Sequence, residues 1–405
     1  MAEILERSGY RVLVKVEVPA ETVQSRYQAM LSEYQKRLRV PGFRPGKAPL
    51  KVVEARLGRE ELRAELKERL VDETYPQAVA ELSLVPVAAR VVEERLEEGQ
   101  PFVYVAEVET YPEVRLPDWR GFTLEAQAPE ATEEMVEKAL EELRARYAEL
   151  VPVERGAEEK DHVFVETEDG AQFPIDLEKA LPHVREALLG KRAGEEVLVP
   201  VKDEEGRTVR EVRVKVLEVK TLQVPELDEE FAKTVGAESL EELRARVRQS
   251  LEEEARRRHQ EALKEELLDK LAQGLEAEIP PSMVREEERH LLEHLAEDLA
   301  RAGVRLEDYL ESLKQKGEYE KFLEDLKETA LVRVKKALAK EKLAEELSPE
   351  LSEEEWQAYL QALARSLGTG LEGLKAELGE RGLARLRAGR LQEKALEEAV
   401  RTLTA

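Results

Sequence analysis

The sequence predicts a multidomain α+β protein, and three observations lead there. Its 405 residues exceed what one hydrophobic core organises, so two to four domains are expected. The first 112 residues mix period-two apolar stretches with polar-rich helical ones. From Pro225 onward the chain turns to Glu, Lys, Arg, Leu and Ala runs with apolar residues three and four apart, the spacing of long amphipathic helices.

Near the start, RVLVKVEVP puts Val12, Val14, Val16 and Val18 on one side of a strand that Pro19 ends. A helical stretch from Glu21 to about Arg39 follows, then a loop, then helices over 50–57 and 60–82 and strands over 85–92 and 102–110. Together these make an α+β domain of residues 1–112. Pro112 and Pro117 in YPEVRLPDWRGF mark a boundary, and residues 113–150 read as a linker with a helical run from Glu133 to Leu150. Residues 151–224 form a small β-rich unit. There HVFVETEDG ends in a turn signal, and EVLVPV and REVRVKVLEV alternate as antiparallel strands about a turn at Asp203 to Gly206. Residues 225–405 are helical, with helices over 240–277, 281–302, 306–314, 319–347 and 353–367 separated by IPP, AGV, LSP and GTG. Their apolar stripes pack on one another or are left open to bind other chains.

A net charge of −25 argues against nucleic-acid coating as the global role. No apolar run approaches the ~20 residues of a membrane span and the N-terminus is not signal-like, so a cytoplasmic protein without a membrane partner is expected. Absence of cysteine excludes disulfides, thiol catalysis and thiolate-bound metals. With no asparagine and 38% charged residues, the composition is that expected of a thermophile.

Against this background residues 40–49, VPGFRPGKAP, stand apart. Pro41, Pro45, Pro49, Gly42 and Gly46 exclude a helix or central strand, so a stiffened loop presents Phe43 between Arg44 and Lys47. From Arg26 to Arg59 nine cations face only Glu33 and Glu54, an excess that attracts phosphate or an acidic protein surface. An aromatic at such a tip is costly to expose unless it docks. The stretch Gly42-Phe43-Arg44-Pro45-Gly46-Lys47-Ala48-Pro49 resembles the signature of trigger factor, the bacterial ribosome-associated chaperone family. The likeness extends through PELDEEFAKTVGAESLEELRARVRQSL at 225–251, IPPSMVREEERHLLEHLAEDLARAGVRLEDYL at 279–310 and the LSEEE and LQEKAL stretches near the end. The resemblance implies that the loop docks on the ribosome beside the exit tunnel, touching ribosomal protein and RNA. Gly42, Phe43, Arg44, Pro45, Gly46 and Lys47 would be its ribosome-binding residues, Phe43 as apolar anchor and Arg44 as charge contact. Many members carry a basic residue where Pro45 stands.

The same resemblance places an FKBP-type prolyl isomerase in the middle, but this sequence departs from its pattern. Leu181, Pro182, Gly190, Gly194 and Glu195 keep the frame. His183, Val184, Arg185 and Ala187 replace the first glycine, the aromatic, the acid and a further glycine, and aromatics expected on two strands fall at Thr167 and Val212. Isomerisation of this kind relies on an apolar aromatic cup that favours the twisted imide by desolvation. With only Phe164 and Phe173 left, the unit is expected to be a trimmed, FKBP-like scaffold of weak or no activity, with no catalytic residue assigned.

Two further motifs carry less. His290-Leu291-Leu292-Glu293-His294 fits an inverted zinc-peptidase pattern but lacks a distal ligand and lies in a Glu-rich helix, so no metal is expected. Gly368 to Gly373 satisfies G-x-G-x-x-G, yet a helix precedes it where a dinucleotide site needs a strand, so it reads as a helix-to-helix turn. No cofactor is expected. The predicted function is ATP-independent holding of nascent or unfolded polypeptides at the ribosome, with a homodimer off the ribosome allowed for and no binding of free nucleic acid. An active prolyl isomerase and a ribosome-independent helical scaffold or holdase are the alternatives.

Overall fold

Val12, Val14, Val16 and Val18 are buried along one strand while Arg11, Leu13, Lys15 and Glu17 alternate with them on its other side. The computed structural model describes residues 1–44, 46–125, 131–202 and 208–404. That strand, β2 (Arg11–Val18), lies between β1 (Ala2–Ser8) and β4 (Phe102–Thr110), and β3 (Pro86–Arg95) completes an antiparallel sheet of order β1-β2-β4-β3. Val12 pairs with Val108 and Val16 with Tyr104, so two apolar rows share one face. Helices α1 (Ala20–Arg37), α2 (Leu50–Leu57) and α3 (Arg59–Glu81) cover it, with Leu62, Leu66 and Leu70 stacked four apart on the inner stripe of α3. Strand β1 was not foreseen, because AEILERS lacks alternation; its register slips between Ile4 and Glu6.

The chain separates into two compact units, Met1–Glu125 with Leu263–Ala405, and Ala126–Ala262. In the first, a 3-10 turn at Trp119–Gly121 buries the Trp119 ring. The body is built on the part of α7 (Leu240–Gly274) from Leu263 onward, α8 (Pro281–Arg301), α9 (Leu306–Lys316), α10 (Tyr319–Leu347), α11 (Glu353–Ser366) and α12 (Leu371–Thr404). Helix α10 packs along both α8 and α12, and α9 bridges α8 and α10. Buried Leu267 and Leu271 of α7, Val334 and Leu338 of α10, and Leu396 and Ala399 of α12 supply its apolar interior. A separate apolar cluster of Trp356, Leu360, Ala364 and Leu374 joins α11 to the start of α12, which breaks helical geometry at Gly379 (φ 61°, ψ −177°). Helix α7 stops at Gly274 rather than Ala277. A β carbon at Gly274 would lie 2.9 Å from the Pro117 ring, and the next residues turn to pair with the linker.

In the second unit α4 (Glu133–Arg146) packs through Val136 and Leu140 on Phe231 and Ala232 of α6 (Glu229–Thr234) and on Leu243 of α7. The expected helix to Leu150 is shorter, because Glu149–Pro152 forms β5 and pairs with the end of β9 (Thr208–Gln223). That partner lies some seventy residues away and leaves no local periodic signal. Strands β6 (Asp161–Thr167), β7 (Gln172–Asp176) and β8 (Glu196–Lys202) complete a five-stranded antiparallel sheet, β5-β9-β6-β7 with β8 on β9, closed on one side by α5 (Pro182–Leu188). The turn assigned to Asp203–Gly206 falls outside the described residues, although the strands flanking it pair as predicted. The fold class is therefore the one expected: an α+β N-terminal part, a small curled-sheet unit and a long-helix C-terminal part.

Candidate docking loop

Helix α1 ends when Leu38 turns to extended geometry, and the chain then makes two tight reversals. Phe43 N donates to Val40 O at 3.1 Å across Pro41 and Gly42, with Gly42 at φ +85°. Proline first and a left-handed glycine second is the type II turn signature. Lys47 N donates to Arg44 O at 2.9 Å, with Gly46 at φ +76°. Pro45, between them, lies outside the described residues. A side chain at either glycine would meet strain from its φ rather than from crowding, since the atom nearest a β carbon is Lys36 Cα, 3.9 Å from Gly46.

Two anchors hold the base of the loop. Ala48 is buried in the apolar core, and Gln35 of α1 donates its amide Nε2 to Ala48 O at 2.6 Å. Pro49 then starts α2 as its N-cap. Sequence reasoning missed Gln35 and Ala48, because neither is chemically distinctive and their bond crosses the loop. The tip is thus fixed while Phe43 stands exposed, with Arg44 and Lys47 exposed beside it.

Surrounding charges leave these cations available. Glu33 accepts from Arg69 Nη1 at 3.0 Å, and Glu54 is 3.0 Å from Arg59 Nε and accepts from the Tyr27 hydroxyl at 2.9 Å. Burial and that carboxylate push the Tyr27 pKa up to about 12, so it stays a donor. Both acids of the window are therefore engaged, and Arg26 is held by Glu73. Lys36, Arg37, Arg39, Arg44, Lys47, Lys51 and Arg56 make no ion pair among the described residues. The structure brings all the described loop residues of the predicted set onto one exposed, cation-rimmed tip.

The middle sheet offers a different picture. Its core is Ala157, Val163, Val165, Leu177, Leu188, Val197, Val199, Val214, Val216 and Val219, with Val184 and Val212 packed against it, and holds no aromatic ring among the described residues. Phe164 alternates with Val163 and Val165 onto the opposite face, where Lys220 Nζ sits 4.7 Å from the ring centroid, and Phe173 is exposed. Arg185 donates to three backbone carbonyls, Leu177 O and Glu178 O at 2.7 Å and Ala180 O at 3.2 Å, pinning the segment ahead of α5. From the sequence it read only as a lost acid. The fully buried Asp161 accepts from Arg155 Nη1 at 2.5 Å and Nη2 at 3.1 Å and from Glu158 N at 2.8 Å. Burial alone would raise its pKa, but these donors outweigh it and hold the carboxyl below the usual range.

His290 and His294 are exposed on α8, His290 Nε2 being 3.3 Å from Glu286. No group of three His, Cys, Asp or Glu among the described residues is arranged to hold a metal. Gly368 (φ +67°) and the Thr369 N to Ala364 O bond make Gly368–Gly370 the turn between α11 and α12, as the sequence predicted. Apolar side chains stand exposed along the helical part, among them Val304, Leu323, Val332 and Leu367. No helix among the described residues is long and apolar enough to cross a membrane.

A family model described as bacterial trigger factor protein matches residues 1–143, and one described as its C-terminus matches 239–401. The chain belongs to the trigger factor family. It is 69% identical over 403 residues to the trigger factor of Thermus thermophilus, covering all of both chains, and 38% identical to that of Deinococcus deserti, covering all of this chain and 94% of the other. A solved structure described as "Promiscuous Substrate Recognition in Folding and Assembly Activities of the Trigger Factor Chaperone" superposes with TM-score 0.59 at 27% identity, covering 99% of each chain. This chain combines an N-terminal sheet-and-helix domain bearing the glycine-proline loop with a long-helix C-terminal part.

Proposed function

We infer that this trigger factor family chain is an ATP-independent chaperone that docks on the ribosome through the loop at 42–47 and holds nascent polypeptides on exposed apolar faces of its helical part. The observation that carries the docking assignment is the pinned tip, where an exposed phenyl ring stands among cations that make no ion pair among the described residues, in a chain of net charge −25. Such a surface suits an acidic, phosphate-rich partner with one apolar recess. Scattered apolar side chains give weak, distributed client contacts, which release without nucleotide. Residues 1–112 serve as the tether, 113–150 as linker, 151–224 as accessory unit and 225–405 as client-holding part, all in the cytoplasm. A homodimer off the ribosome fits the same exposed faces.

Ribosome co-sedimentation tests the assignment. Parent protein is expected to pellet with ribosomes at low salt and Phe43→Ala with Arg44→Ala to remain in the supernatant; equal pelleting of both would refute it. The middle unit is read as retaining weak or no isomerase activity, because its core among the described residues holds no aromatic cup and Arg185 clamps the segment beside it. In a proline-peptide assay the full chain is expected to show little turnover, and ordinary FKBP-level rates would refute that reading.

A further inference from the structure

Helix α8 cannot cap its own start. Its N-cap is Pro280, which has no side-chain acceptor, Pro281 occupies the first helical position, and the first turn contains no acid. An N-cap side chain normally accepts from the second or third helical N–H, here beginning with Ser282. By contrast α4, α6 and α11 use their own Thr132, Asp228 and Ser352. In α8 the donor finds its acceptor elsewhere: Ser282 N donates to Glu109 Oε2 at 3.0 Å, from a strand 173 residues earlier. Glu109 Oε1 lies 3.9 Å from Arg285, and the carboxylate faces the positive end of the helix dipole.

We propose that Glu109 is a positioning residue: supplied from the sheet of the docking-loop domain, it caps α8 and fixes the α8–α10 lobe, so that tether and lobe turn as one body.

Its neighbours form the rest of the clasp. The Tyr111 hydroxyl donates to Glu341 of α10, and burial, with that carboxylate, raises the Tyr111 pKa, so the proton stays. Arg115 and Glu276 exchange two backbone hydrogen bonds at 3.0 and 3.1 Å. At the tip of the β1–β2 hairpin Gly9 (φ +55°) lies flush against the loop before α8, where a β carbon would sit 1.7 Å from Glu278 Oε2. These contacts converge on the two ends that set the tilt of the lobe, the start of α8 and the far part of α10. Without the cap, the first turn of α8 frays and the lobe keeps only its more distant holds.

Because the chain has no cysteine, Gln77→Cys on α3 and Glu311→Cys on α9 provide the only two spin-label sites. In the full chain the parent is expected to give one narrow interspin distance distribution. Glu109→Ala should broaden it and speed amide exchange at Ser282–Val284 about fivefold, the effect of losing one cap. Glu109→Gln, which keeps a neutral acceptor, should stay close to the parent. Ser282→Pro deletes the donor at a position where the first helical turn tolerates proline, and should broaden the distribution with Glu109 intact. It also decides the matter if Glu109→Ala loses its cooperative melting transition. A parental distribution in either Glu109→Ala or Ser282→Pro overturns the proposal.

Discussion

Replacing Phe43 by alanine removes the ring from the loop tip without touching the hydrogen bonds that shape it, since Val40 O and Arg44 O bond backbone donors. Phe43 as a residue is 43% exposed. A phenylalanine side chain of roughly 200 Å² then has about 90 Å² left to bury on docking. At about 25 cal/mol per Å² this is about 2 kcal/mol, or roughly thirtyfold in ribosome affinity. Arg44→Ala acts differently. Where the guanidinium meets a phosphate, its loss lowers the slope of log affinity against log salt by about one unit, whereas Phe43→Ala leaves that slope unchanged. Titrating fluorescently labelled chain with ribosomes at several salt concentrations measures both. A Phe43→Ala affinity within twofold of the parent would show that the ring does not enter an apolar recess, and the docking argument would fail at its first step. Thermal melting provides the control, since an exposed ring contributes little to folding and the two proteins should melt together.

Other outcomes follow from the packing. Asp161→Ala removes the buried acceptor of the Glu158 amide and leaves the partly exposed Arg155 with only Glu158, and is expected to cost that unit about 1–3 kcal/mol, measurable by urea unfolding. Because the folded-state pKa of Asp161 is lowered, its contribution is complete above the unfolded value near ~4 and is lost as pH falls through the lower folded value. The stability difference between parent and Asp161→Ala should therefore shrink only in acid, and a difference that instead shrinks between pH 6 and 8 would contradict the assignment. Trp356→Ala empties the centre of the α11–α12 cluster and should destabilise it locally by about 3–5 kcal/mol, seen as faster hydrogen exchange over residues 351–387. Trp119, the other tryptophan, reports separately on the body and should keep its buried emission.

Strong periodic or compositional signals in the sequence were enough to fix several elements. The alternating valines of β2, the Phe102–Thr110 strand and the Tyr319–Leu347 helix appear with the expected extents, because burial on one face writes its period into adjacent residues. The loop was equally legible: proline and glycine act on their own backbone, so a stiffened loop presenting Phe43 follows from ten residues, while its two turns appear only in the structure. Tertiary structure decided what depends on single contacts rather than on a repeating pattern. Strand β5 exists because β9 accepts it, and the loop cations are free because Arg69 and Arg59 already occupy the nearby acids. Arg185 serves as a clamp because three carbonyls happen to converge on it, and the Ser282 amide at the start of α8, a start the sequence itself marks, finds its acceptor in Glu109 of β4. Such contacts join single residues, some five to eight positions apart as at Arg185 and others as far as 173 as at Glu109, and a pairing of that kind leaves no period for local sequence to display.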